Sequence, residues 1–255
     1  MKVRLTVAYD GTPFKGWAQN RNIRSVSVDL AAAIETVLQT QVKLTVAGRT
    51  DAGVHAHGQV VSFPVHDAFD ETMLRRLVKG INSLCAPSIV VVASAIVADA
   101  FDARRSATSR RYRYLMLNTN DPDPFLASRA WHVSGSLNLS AMKMACDPLI
   151  GEHDFAAFCR QAPPPNNSTV RHVFSADWTA SIDGMLQFDI VANAFCHQQV
   201  RALVGMMAVV GRGDLTPGDV MGLLAKRDRV RMPDLAPAHG LYLMEVRYDG
   251  RRVHP

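Results

Sequence analysis

A guanidinium, a hydroxyl and a carboxylate follow one another at Arg49, Thr50 and Asp51, inside Ala47-Gly48-Arg49-Thr50-Asp51-Ala52-Gly53-Val54-His55-Ala56-His57-Gly58-Gln59. Glycines at 48, 53 and 58 let another backbone come close, so the segment reads as a loop held between two strands. A neighbouring cation favours the ionised form of a carboxylate, which suits a nucleophile that must keep its charge when substrate expels water. The plainer reading is an Asx-turn, with Asp51 capping backbone donors and Arg49 on the surface.

His55 and His57 stand two apart, but no further histidine or cysteine cluster completes a metal shell, so no metal site is expected. The cysteines at 85, 146, 159 and 196 lack a Cys-x-x-Cys pair. They read as small core residues, with neither a disulfide nor a zinc site expected. A second chemical segment is the run Arg104, Arg105, Arg110, Arg111 and Arg113, with tyrosines at 112 and 114. Alternation along a strand puts Arg110, Tyr112 and Tyr114 on one face and Arg111 and Arg113 on the other. Arg201 lies in an apolar helical stretch, where an unpaired cation is costly and an acidic partner is expected. A snorkelling surface arginine is the alternative.

The chain has 255 residues, with 28 lysines and arginines against 23 acids and a net charge of +5. That balance leans toward a polyanionic partner without requiring one. The longest uncharged run, 80–98, is interrupted by Asn82, Ser83, Pro87 and Ser88, so no membrane span is expected. Lys2 and Arg4 sit in an alternating pattern unlike a secretory leader, which makes the expected location cytoplasmic.

The elements that must position these residues alternate in type. Residues 3–9 place Val3, Leu5, Val7 and Tyr9 on one side, a half-buried strand ending at Asp10-Gly11. A helix is expected over 27–39 with Ser27 as its N-cap. Strands follow at 42–47 and 59–65, a helix at about 70–82 and a buried strand at 88–97. The second half expects strand 109–118, a helix from about Ser140, strands 171–179 and 185–191, helix 195–210, a helix capped by Thr216 with Pro217 at its first position, and strand 240–248. Residues 163–168 read as a surface loop, and Gly151 to Phe155 as a helix-ending turn. The composition shift near Phe101 to Arg113 divides the chain into 1–106 and 107–255. The fold class is α+β, helices packing on sheets. Tyr9-Asp10-Gly11 and Tyr248-Asp249-Gly250 hint at two similarly built halves.

The segment Gly48 to His55 resembles the active-site motif of the tRNA pseudouridine synthase A family. The resemblance continues through Tyr9-Asp10-Gly11 with Phe14, Gly16 and Trp17, then Gly58-Gln59-Val60, Phe101-Asp102-Ala103-Arg104, Arg111-Tyr112-Arg113-Tyr114, Gly151-Glu152-His153-Asp154-Phe155, Asn193-Ala194-Phe195 with Val200-Arg201, and Gly240-Leu241-Tyr242-Leu243. It implies isomerisation of uridine in the tRNA anticodon stem-loop, at tRNA positions 38, 39 and 40, on a base flipped out of its stack. Asp51 would be the nucleophile and Arg49 would fill the space of the flipped nucleotide. Tyr112 would stack on uracil, Arg201 would pair with the carboxylate and Leu241 would pack on the base. Arg21, Arg24, Arg104, Arg110 and Arg111 are expected to contact phosphates, in binding that weakens as salt rises.

Ala18, Pro148 and Gln199 depart from the family's usual residues. With this resemblance the two halves are read as mainly antiparallel sheets, helices on one face, joined into one extended sheet with a central cleft. A homodimer without cofactor or metal is expected. The rivals are an RNA-binding module without chemistry and a hydrolase using Asp51 with His55 or His57.

Overall fold

The computed structural model describes residues 1–18, 23–160, 168–226 and 234–250. Arg21 and the prolines of the 163–168 loop lie outside the described residues. The chain forms two compact units, Met1–Thr108 with Tyr242–Asp249, and Ser109–Leu241. Both combine strands with helices, so the class is α+β. Among the described residues no helix is long and apolar enough to cross a membrane.

The first unit is built on β1 (Lys2–Tyr9), whose alternate residues Val3, Leu5, Val7 and Tyr9 are buried as period two requires. β1 lies between β3 (His55–Pro64) and β4 (Ile89–Val97), antiparallel to both. A short β2 (Thr45–Val46) pairs with β3, so only two residues of the expected 42–47 strand enter the sheet. β4 is not the buried strand expected, since Val92 is 56% exposed in mid-strand.

Helix α1 (Val26–Leu38) begins one residue earlier than read, with Ser25 as N-cap and no side-chain cap bond. α2 (Glu71–Cys85) runs past its expected end and is capped by Asp70, whose carboxylate accepts from the Met73 N–H. The two helices touch closely at Gly80, where a Cβ would lie 2.5 Å from Val37 Cγ2. α1 buries Val26, Leu30, Ala33 and Ile34, and α2 buries Leu74, Leu77 and Ile81.

In the second unit β5 (Ser109–Leu117) pairs antiparallel with β9 (Met185–Ala192), β9 with β8 (Val170–Ala180), and β8 with β7 (Gly151–Asp154). The two-residue β6 (Trp131–His132) runs parallel to β5. Gly151 to Asp154 is thus a strand rather than a helix-ending turn. Pro148 sits in the 3₁₀ turn Asp147–Leu149 that follows the short helix α3 (Leu139–Met144).

α4 (Gln199–Arg212) is buried along most of its length and ends at Gly213, φ +88°. Gly205 lets the backbone at Asp234 pack on it, since a Cβ there would lie 2.2 Å from the Asp234 carbonyl oxygen. α5 (Pro217–Lys226) opens as read, Pro217 first. Thr216 precedes it, and the Asp219 carboxylate accepts from the Thr216 N–H at 2.7 Å, the reciprocal half of a capping box.

The chain then returns to the first unit. β10 (Leu241–Arg247) runs parallel to β3 with Tyr242 opposite His55 and Leu243 opposite Ala56. This explains Gly58, read as loop but lying within β3: a Cβ would come within 2.4 Å of the Met244 carbonyl oxygen on β10.

The expectation of no disulfide is corrected. Cys159 and Cys196 are bonded, with Cα atoms 5.7 Å apart. They lie 37 positions apart in sequence, and the fold alone brings them within bridging distance. Cys85 and Cys146 are free.

Candidate active site

Along the loop Arg49 is exposed, Thr50 buried and Asp51 half-buried, so the hydroxyl lies inward and the guanidinium outward. The stretch ends in a tight turn. The Val54 N–H donates to the Asp51 carbonyl at 3.2 Å, and Gly53 takes φ +80°, which a side chain resists.

The loop is held from behind by the segment after β1. The Trp17 N–H donates to the Thr50 carbonyl at 3.1 Å, and the Gly53 N–H donates to the Phe14 carbonyl at 3.4 Å. Gly11 lies against Val54, where a Cβ would come within 2.2 Å of its carbonyl oxygen. Side chains complete the hold. Gln59 Nε2 donates to the Gly48 carbonyl at 2.7 Å, and the Tyr9 hydroxyl lies 2.8 Å from Thr50 Oγ1. Burial pushes the Tyr9 phenol up to about 12, opposed by its bonds to Thr50 and Gln59. It therefore stays protonated near neutral pH.

His55 is 2% exposed, stacked on Tyr242 with ring centroids 4.7 Å apart. The Gly11 N–H donates to its Nδ1 at 3.0 Å, while Asp10 Oδ1 lies 3.2 Å from the same atom. A backbone N–H can only donate, so Nδ1 accepts from Gly11. His55 is thus committed to packing and to anchoring Gly11.

In the second unit Tyr112 is 8% exposed and meets Phe195 edge-on, centroids 5.0 Å apart. The Phe195 loop is fixed by Asn193, whose side-chain oxygen accepts from the N–H groups of His172 and Ala194. Arg110 Nη1 donates to the Asn193 carbonyl at 2.6 Å. Tyr114, on the same face as Tyr112, is fully buried and donates to the Pro237 carbonyl at 2.8 Å. Burial raises its pKa, and the Arg201 charge opposes that rise. Arg201 Nε donates to the Ala236 carbonyl at 2.8 Å. Leu241 is 6% exposed at the start of β10.

The arginines divide by neighbourhood. Arg111 and Arg113 share a face, as alternation requires, and both approach Asp189 on β9, at 3.4 and 3.0 Å. Arg24 pairs with Asp29 at 2.9 Å and covers the Phe14 ring at 4.9 Å. Arg104 and Arg105 are exposed, and their backbone N–H groups donate to the Asp102 carboxylate. Sequence reasoning assigned no role to Tyr9, Thr50, Gln59, Phe195 or Asp189. All but Asp189 stand in the blocks that carry the resemblance, and Tyr9 also has an inward place in the alternation of β1.

A family model described as tRNA pseudouridine synthase matches residues 145–249. The chain is 34% identical over 247 residues to tRNA pseudouridine synthase A of Ruminiclostridium cellulolyticum, covering 97% of this chain and 99% of that protein. It is 36% identical over 251 residues to tRNA pseudouridine synthase A of Bacillus subtilis, covering 98% and 100%. For the Frankia casuarinae protein of the same name the identity is 40% over 252 residues, covering 97% and 89%. Similarity at this level along nearly the whole of both chains shows that this chain belongs to the tRNA pseudouridine synthase A family, a family of isomerases.

Proposed function

We propose that the chain isomerises uridine to pseudouridine in the anticodon stem-loop of tRNA, with Asp51 as nucleophile on a flipped-out base. A stacked, paired uridine hides its glycosidic bond, so the base must leave the stack first. The bond from C1′ to N1 then breaks, the uracil rotates, and C1′ bonds to C5. C5 loses a proton and N1 gains one, so every atom is conserved and no electron carrier is consumed. Asp51 can begin by attacking C1′, by adding to the uracil ring or by taking a proton from C2′.

Arg49 takes the place vacated by the flipped nucleotide, Tyr112 stacks on uracil, Arg201 pairs with the carboxylate and Leu241 packs on the base. Stacking on an aromatic ring is worth roughly 1 to 3 kcal/mol, enough to hold a flipped base without reading its neighbours. Arg21, Arg24, Arg104, Arg110 and Arg111 supply phosphate contacts. In this reading the two halves, 1–106 and 107–255, share one extended sheet with a central cleft, and the protein works as a cytoplasmic homodimer on tRNA positions 38, 39 and 40.

The observation that carries the reading is a half-buried carboxylate presented beside an exposed guanidinium, on a loop anchored by backbone and side-chain bonds, in a chain of this family. Purified protein incubated with unmodified tRNA, without added cofactor, is expected to place pseudouridine in the anticodon arm at unchanged substrate mass. Asp51→Ala is expected to bind tRNA within about twofold of the parent and to lose conversion by about a thousandfold or more. Persistent conversion in that variant removes Asp51 from its role. A blank map with intact binding leaves an RNA-binding protein, and released uracil a hydrolase.

A further inference from the structure

Tyr9, Thr50 and Gln59 form a buried polar chain beneath the loop, exposed by 5%, 9% and 0%. Gln59 Nε2 can only donate, to the Gly48 carbonyl at 2.7 Å and toward the Tyr9 oxygen at 3.4 Å. The phenol also hydrogen-bonds Thr50 Oγ1, 2.8 Å away, a pair in which either hydroxyl can donate. A phenylalanine at position 9 would fill the same core space without the cost of burying a hydroxyl. That hydroxyl reaches the residue lying between the exposed guanidinium and the half-buried carboxylate. The Thr50 carbonyl is held by Trp17 and the Asp51 carbonyl by Val54, and the inward hydroxyl ties the same three residues, 49 to 51, to β1.

We propose that Tyr9 is a positioning residue for the reaction: through Thr50 it sets the orientation in which Asp51 and Arg49 meet the uridine. The proposal rests on the function assigned above. It makes Tyr9 act on turnover rather than on RNA affinity, because its side chain is buried behind the loop.

The test measures single-turnover conversion at saturating tRNA, together with tRNA affinity and amide hydrogen exchange. Tyr9→Phe and Thr50→Val are each expected to slow conversion about tenfold or more, because small misplacements at a reacting centre cost rate steeply. Affinity is expected to stay within about twofold. Thr50→Ser, which keeps the hydroxyl, is expected to convert within about threefold of the parent. The double variant Tyr9→Phe/Thr50→Val should be no slower than the slower single, since both remove one interaction.

Amides of residues 50 to 54 are expected to exchange faster in Tyr9→Phe, with β8 and β9 unchanged. Conversion at the parent rate in Tyr9→Phe, additive losses in the double variant, or a fall in affinity matching the fall in rate would each overturn the proposal. If the parent protein converts no tRNA, the functional reading falls by itself. Exchange then decides the positioning claim: faster exchange confined to the loop upholds the linkage, and unchanged exchange overturns it.

Discussion

Tyr9-Asp10-Gly11 and Tyr248-Asp249-Gly250 are the same tripeptide, each at the end of a strand of the first unit's sheet, yet they are put to opposite uses. Tyr9 is 5% exposed and reaches Thr50 in the candidate active loop. Tyr248 donates to the Ala103 carbonyl at 2.8 Å and packs on Phe101, centroids 4.9 Å apart, in a contact that secures a loop remote in sequence from Asp51. Asp10 accepts from the N–H and hydroxyl of Thr12, closing an Asx-turn, whereas Asp249 serves through its backbone, accepting from Thr108 Oγ1. Gly11 has no room for a side chain. A Cβ on Gly250 would meet nothing within 4 Å, so glycine is needed there only for its φ of +89°. A repeated tripeptide records a shared turn habit, while its function depends on what lies across from it.

The largest expected difference between the two turns is at the glycines. Gly11→Ala should lower stability by about 3 kcal/mol or more and abolish conversion, because backbone atoms of Val54 cannot withdraw like a flexible side chain. Gly250→Ala should cost only about 1 to 2 kcal/mol, the strain of a left-handed alanine. Thermal unfolding of both variants, with conversion assays, checks this, and equal losses would erase the distinction.

The tyrosines come next. Tyr9→Phe and Tyr248→Phe each remove one hydrogen bond, for about 1 kcal/mol apiece, but only the former should slow conversion. A matching rate loss in Tyr248→Phe would show that the effect is general loosening.

The smallest expected effect is on alkaline stability. A phenol raised to about 12 in the folded state contributes fully below the unfolded value of about 10, and loses that contribution as pH rises from 10 toward 12. The parent should therefore lose stability over that window more steeply than Tyr9→Phe, as denaturant unfolding at pH 9 and pH 11 would measure. Parallel curves would mean that Tyr9 is not the group titrating.

Much of the fold was legible because one face of most elements is buried and the other wet. The alternation of β1, the stripe of α2 and the Thr216-Pro217 start of α5 all follow from that asymmetry. Misreadings fell where a partner, not the local pattern, sets the state. Residues 42–44 alternate well enough for a strand, yet the pairing with β3 begins only at Thr45. His55 to Gly58 looked too glycine-rich for a strand, but β10 approaches so closely that glycine is required. Cys159 and Cys196 gave no spacing signal, and Asp189, far from Arg111 and Arg113 in sequence, becomes their neighbour only through the pairing of β5 with β9.

By itself the sequence determined the residue types capable of the chemistry, the family to which the order of its motifs belongs, and the periodicity that turns Tyr9 toward the core. Tertiary structure decided which groups meet: Tyr9 with Thr50, Gln59 with Gly48, Gly11 with Val54, and Arg111 with an acidic neighbour. The reason is physical. Periodicity acts over one turn of helix or two residues of strand, whereas hydrogen bonds and steric exclusion act over a few ångströms between residues that the chain separates by dozens of positions.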